Sequence, residues 1–247
     1  MTLIGDRMIE ATSISEAWLD AVHLLAGPGD KKAVHLVARI VNPTQEVAEI
    51  RSEADLLVAA NAKYWSIDST RNTIFPAAWA RRNPEPSDLA GYYRNRYAAL
   101  MKYKNNERGT YFGRVVAYPR ADGTTGDQLT DTVRKLRDEL SAGSKKSSRY
   151  EINIYCEAVD RNPMSFPCLA HVSVHMHQGA LHMQAVYRNE LLVARAYGNF
   201  LGLGQLQHYI ATAAGLQIGE LLMSINHVEL DAGKTVAQAM VARLRDE

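Results

Sequence analysis

Apolar positions recur along the chain at two periods, and the switches between them mark out the elements. Ile14, Trp18, Ala21, Val22 and Leu25 share one helical face. Ser13 and Glu16 form a capping box ahead of them and Gly27 stops the run, so the first helix starts at Ser13. Gly27-Pro28-Gly29-Asp30 is a turn. Residues 33–41 are apolar and β-branched and predict a buried strand, ended by Asn42-Pro43. A helix is predicted over about 47–64. Pro76, Pro84, Pro86 and Gly91 interrupt residues 65–108, and only 92–108 reads as one helix. Residues 111–118 look strand-like, 120–125 form a turn, and Leu129, Val133, Leu136 and Leu140 mark a helix. A polar, basic loop spans 141–148. Strands follow at 150–156, 170–177 and 180–188, the last two joined as a hairpin at Gln178-Gly179. An apolar helix over 199–214 ends at Gly215, followed by a strand over 221–230 and a helix over 234–244. Strands in a largely antiparallel sheet with helices packed on it make an α+β fold.

Composition narrows the class. The 247 residues are 47% hydrophobic and 22% charged, ordinary for a globular chain, and are expected to form one domain over 1–247. With 28 Lys+Arg against 27 Asp+Glu the net charge is +1, which argues against a dedicated nucleic-acid binder. No apolar run reaches the roughly 18 residues of a membrane span. Residues 1–10 lack the apolar stretch of a secretory signal. The 2 cysteines exclude a disulfide scaffold and suit free thiols in a reducing, cytoplasmic setting.

A few residues carry candidate chemistry. Cys168 follows Phe166-Pro167 in a loop that feeds a strand, whereas Cys156 lies in an apolar run and reads as core. His175 and His177 fall on one strand face with His182 on the next strand, but no third ligand accompanies them, so a polar sheet face is expected and not a metal site. Gly202-Leu203-Gly204 lacks the third glycine of a dinucleotide loop and reads as helix packing. The basic residues between Arg81 and Arg108 read as a solvated face.

From residue 149 onward the spacing of several polar residues resembles thymidylate synthase and its relatives, the pyrimidine nucleotide hydroxymethylases. That family carries its nucleophile in a Pro-Cys pair, an Arg-Ser pair twenty residues on, and an asparagine eleven after that arginine. Pro167-Cys168, Arg188-Asn189 and Asn199 keep those intervals. Arg149, nineteen residues before Cys168, matches the second arginine of the family's Arg-Arg pair, and Gly219-Glu220 matches its Gly-Asp. Upstream, Thr73-Ile74-Phe75 with Trp79, Thr110-Tyr111-Phe112-Gly113-Arg114 and Arg51-Ser52 are weaker matches.

The resemblance implies a fold and a chemistry. The fold is thymidylate-synthase-like, a mixed sheet with helices packed on it, and one sheet face forms a homodimer interface. A cysteine thiolate adds to C6 of a pyrimidine and makes C5 a carbon nucleophile. Cys168 takes that role, with Glu53 (Asp55 as second candidate) as general acid/base and Tyr111 among the catalytic residues. Arg188 lowers the thiol pKa and grips the nucleotide phosphate with its planar fork. Arg149 reaches the phosphate bound by the neighbouring subunit, and Asn189 stands where the family has a phosphate-binding serine. Lys31, or Lys32, replaces an N-terminal phosphate arginine. His227 bonds the sugar hydroxyl, and Asn199 pairs with the pyrimidine edge in a way that suits uracil. The donor is expected to be 5,10-methylenetetrahydrofolate and the substrate a pyrimidine nucleoside monophosphate.

Departures temper the picture. Leu169 replaces a histidine, Tyr187 a glutamine, Glu229 a tyrosine, and Leu191 the aspartate that grips the pterin. Arg195-Ala196-Tyr197-Gly198 replaces Gly-x-Pro-Phe, and the chain ends soon after Glu229. The nucleotide half of the site looks kept and the folate half rebuilt, so hydroxymethylation stands level with methylation. The alternatives are folate-independent C5 chemistry and a non-catalytic nucleotide-binding homologue.

Overall fold

The computed structural model describes residues 7–143, 150–162 and 166–245. The chain opens with β1 (Met8–Ser13), whose alternate residues Ile9, Ala11 and Ser13 are buried. Its six residues carry too little alternation to announce a strand, and it is missing from the sequence reading. Helix α1 (Ile14–Ala26) starts at the expected capping box: the Ser13 hydroxyl accepts from the Glu16 amide, and the Glu16 carboxylate accepts from the Ser13 amide. Then come β2 (Lys32–Asn42), α2 (Ala48–Ala59), α3 (Ile67–Ile74), α4 (Ala77–Ala80) and α5 (Pro86–Leu100).

Residues 111–118 correct the expectation of a strand. Helix α6 (Tyr111–Val116) forms instead, because the Thr110 hydroxyl caps it by accepting from the Gly113 amide. Gly113 also lies so close to the Tyr97 ring that a Cβ would sit 2.6 Å from it. The local cap and this packing override the strand preference of Tyr, Phe and Val. Two short strands, β3 (Tyr118–Pro119) and β4 (Thr125–Gly126), precede α7 (Gln128–Ser141).

The second half holds β5 (Tyr150–Asn153), β6 (Leu169–His177), β7 (Ala180–Tyr187) and β8 (Glu190–Leu191), followed by α8 (Tyr197–Ala214), β9 (Gln217–Glu229) and α9 (Lys234–Arg245). The main sheet runs β1-β2-β9-β7-β6-β5, with β8 also on β9. It is mixed: β1 with β2, and β7 and β8 with β9, are parallel, while the other pairs are antiparallel. The expectation of a mostly antiparallel sheet is thus corrected, because β9 enters the middle of the sheet from a long helix and not from a hairpin.

One face of the sheet, with Leu36, Ala38, Ile40, Val172, Val174, Met183, Ala185, Met223 and Ile225 fully or almost fully buried, packs against α1 and α8. Burial of each large apolar side chain stabilises the fold by about 1.5–3 kcal/mol. Glycines let α8 settle deeply. At Gly204 an added Cβ would run into the Pro43 carbonyl, and at Gly198 it would lie 2.7 Å from both the Ile67 carbonyl and the Thr70 side chain. Gly202-Leu203-Gly204 is therefore a packing motif, and the approach of α8 to α3 brings Thr70 beside the residues that follow β8.

Candidate active site

The β7 ladder on β9 pauses after Tyr187, opposite Ile225, and resumes in register at Glu190, opposite Val228. Arg188 and Asn189 lie in that gap. The Arg188 amide donates to the Cys168 carbonyl at 3.0 Å, which ties the gap to the start of β6. Asn189 faces His227, with Oδ1 and Nδ1 2.6 Å apart. After β8 the chain turns through one π-helical stretch, Leu192–Ala196, before α8 begins. Its amides at Val193 and Ala194 donate to the Asp231 carboxylate at 2.8 and 3.0 Å, and the Trp18 indole donates to the Leu192 carbonyl at 2.7 Å. These bonds fix a wide turn where an ordinary helix start would leave its amides unpaired.

That turn delivers Glu190, Arg195 and Asn199 to one cavity of about 440 Å³. Cys168, Asn189, Leu191, Tyr111, Phe166, Trp65, Thr70, Lys104 and Arg108 also line it. The Arg195 guanidinium stacks 3.7 Å over the Trp65 ring, a cation–π contact that holds a cation in the wall.

The electrostatics are those of a buried polar site. Burial pushes the Cys168 thiol up, helped by the nearby Glu190 carboxylate; Arg188, by charge and a side-chain hydrogen bond, and then Arg195 act against this. Burial pushes the Glu190 carboxyl up to about 8, opposed by the Asn199 hydrogen bond, the charge of Arg195 and the Leu191 amide. Burial lowers Arg195 and raises the Tyr111 and Tyr187 hydroxyls. The Asn199 amide nitrogen donates to both Glu190 oxygens at 3.0 Å. Its carbonyl oxygen is buried and has no hydrogen-bond partner among the described residues.

Of the residues named from sequence, Cys168, Tyr111, Asn189 and Asn199 share this cavity, Arg188 adjoins the thiol, and His227 is held by Asn189. Arg149 lies outside the described residues. Lys31 donates to the Ala232 carbonyl at 2.9 Å and does not line the cavity.

Glu53 lies apart from these residues. It sits on α2, and its carboxylate is bound by Arg243 of α9 at 2.7 Å, away from the residues that line the cavity. The following Asp55 is likewise engaged, by Arg51 at 2.9 Å. Among the described residues, two carboxyls line the cavity, the exposed Glu107 and the buried Glu190. Sequence reasoning missed Glu190 because a lone glutamate in a two-residue strand shows no sign of being buried; its position next to Arg188-Asn189 was the available signal. Arg195 stands in the sequence only as part of the Arg195-Ala196-Tyr197-Gly198 departure from the family pattern.

A cysteine, an arginine and a buried asparagine thus converge beside the gap between β7 and β8 of a mixed sheet. The family model described as thymidylate synthase matches residues 43–240, most of the chain, and the protein belongs to the thymidylate synthase family. Membership places it among one-carbon transferases of pyrimidine nucleotide metabolism. No curated protein matches the chain. Among the described residues, no helix is long and apolar enough to cross a membrane.

Proposed function

We propose that the protein transfers a one-carbon unit to C5 of a pyrimidine nucleoside monophosphate, by addition of the Cys168 thiolate to C6. The observation that carries this reading is the convergence, in one cavity, of Cys168 with Arg188 beside its thiol and of a buried Asn199 carbonyl oxygen without a partner. A buried amide oxygen left open costs free energy unless a ligand N–H meets it, and a pyrimidine edge provides one. Arg188 favours the thiolate over the thiol and grips the nucleotide phosphate with its planar guanidinium. Asn189, oriented by His227, supplies further polar contact to phosphate or sugar.

The one-carbon donor in this reading is methylenetetrahydrofolate. Trp65, Lys104 and Arg108 suit a flat ring and an anionic tail, while Leu191 gives an apolar contact where the family has an aspartate. When bound, that cofactor supplies a carbon at the oxidation level of formaldehyde. The chain's own residues hold the nucleotide, generate the thiolate and manage the ring proton. The protein acts as a homodimer paired through the sheet's outer face, and Arg149 serves the partner's phosphate.

The test is a product assay by mass spectrometry with dUMP, dCMP, UMP and CMP, each with and without methylenetetrahydrofolate. A methylated or hydroxymethylated nucleotide that needs the folate and is absent with Cys168→Ser is the expected result. No product from any nucleotide, with nucleotide binding intact, would overturn it.

A further inference from the structure

Addition of a thiolate to C6 drives negative charge onto a heteroatom bonded to C4, the carbonyl O4 in uracil or the ring N3 in cytosine. That charge needs a proton donor at the base-reading edge. Glu53, bound to Arg243, does not line the cavity, and Glu107, which does, is exposed to solvent, so Glu190 is the buried carboxyl there. We propose that Glu190 is the catalytic acid of this protein, donating its carboxyl proton to the pyrimidine heteroatom that gains charge as Cys168 adds; this rests on the function proposed above.

The placement is specific. Glu190 lines the same cavity as Cys168 and is only 2% exposed. The Asn199 amide nitrogen is committed to its carboxyl, so the pair turns two groups to a ligand: the Asn199 carbonyl oxygen as acceptor and the Glu190 hydroxyl as donor. A pyrimidine offers the matching pair, an N–H beside an acceptor, as N3–H and O4 in uracil or N4–H and N3 in cytosine. The groups around the carboxyl also hold its proton in the resting site. Burial raises it, and Asp231 adds to this, against Arg195, the Asn199 amide and the Leu191 amide. Tyr111, Tyr187 and Cys168 are raised in turn by Glu190 as well as by burial.

The step balances. The Sγ–C6 bond forms, and the C5=C6 pair moves into C4–C5. The C4=O4 or C4=N3 pair moves to the heteroatom, which takes the proton from Glu190. The carboxylate that remains keeps the Asn199 and Leu191 N–H groups and the charge of Arg195. The proton returns to Glu190 when C5 attacks its electrophile and the C4=O4 or C4=N3 double bond re-forms.

The experiment follows exchange of the C5 hydrogen for deuterium in D2O, with UMP, dUMP, CMP and dCMP and without a one-carbon donor. It needs cysteine addition but not the transfer step. Glu190→Gln, which keeps the shape and a donor but no transferable proton, should slow exchange by roughly 10²-fold or more while still raising its melting temperature with nucleotide. The wild-type rate should decline at alkaline pH as the acid is lost, and the decline should vanish in Glu190→Gln. Exchange in Glu190→Gln within about threefold of wild type, or a wild-type rate that climbs without decline to about pH 10, overturns the assignment even if the variant folds poorly. Absence of exchange and of one-carbon product in the wild type overturns the underlying function, and this role with it. The preferred nucleotide distinguishes O4 from N3 as the proton's destination.

Discussion

Two polar regions of the molecule treat their side chains in opposite ways. On the outer face of the sheet, polar groups answer one another. Arg39 bonds both Glu220 oxygens and pairs with Glu10, His171 lies 2.6 Å from the Glu151 carboxylate, which also accepts from Ser173, and the Glu220 amide donates to His182. These groups are partly exposed, and each has its partner on a neighbouring strand. At the junction of β8 and α8 the polar groups are buried and incompletely answered: the Asn199 oxygen is open, and burial pushes up the Glu190 carboxyl and the Cys168 thiol. Buried polar groups in native proteins almost always find partners, so a cluster that does not is arranged for something that binds. The three histidines of β6 and β7 fall on the answered side; among the described residues no cluster of metal-ligating side chains occurs.

Perturbing each region sharpens the contrast. The largest effect is expected at Cys168: Cys168→Ser should abolish one-carbon product while leaving nucleotide binding, measured by calorimetry, nearly unchanged. Asn199→Ala should weaken nucleotide binding by about 1–3 kcal/mol, the scale of a buried hydrogen bond to a ligand, seen as a roughly 5- to 150-fold rise in Kd. Gly204→Ala should destabilise by about 1–3 kcal/mol through overpacking against Pro43, lowering Tm without altering the cavity. Glu190 gives a pH signature. Its folded pKa is raised above the ordinary value of 4.5 to about 8, so the native state holds a proton that the unfolded state releases. Its contribution to stability is therefore full below about pH 4.5 and is lost as pH rises to about 8. Melting curves should show Glu190→Gln gaining stability relative to wild type over that window. The smallest effects belong to the answered groups: Glu220→Gln and Glu53→Gln should each change stability by less than about 1 kcal/mol, and Glu53→Gln should keep product formation within about twofold. A hundredfold loss in Glu53→Gln would erase the distinction.

How much was legible in the sequence follows the same division. Local signals read well: the Ser13 capping box, the Gln178-Gly179 hairpin and the stop at Gly215, where φ is 78°, all depend on neighbours in the chain. The spacing of Cys168, Arg188 and Asn199 was also visible, because interrupted strand and helix hold those residues at fixed intervals. Aromatic and β-branched neighbours make Tyr111 look like a strand residue, and the Thr110 cap with the contact of Gly113 and Tyr97 shows why a helix wins. Glu190 was not legible as a site residue at all. Its character comes from burial beneath α8 and from the Asn199 amide, and neither exists until the chain has folded. Glu53 illustrates the reverse, a glutamate in a plausible sequence context that the fold turns toward Arg243.

The central claim is that chemistry starts with Cys168 in this cavity. It is tested most directly by incubating the protein with 5-fluoropyrimidine nucleotides and the one-carbon donor, then mapping covalent adducts by peptide mass spectrometry. Fluorine at C5 cannot leave as a cation, so an adduct formed by addition to C6 is trapped after transfer. The account predicts a nucleotide adduct on the peptide that carries Cys168 and none on buried Cys156. An adduct on Cys156, or one-carbon product formed without any adduct at Cys168, would contradict it.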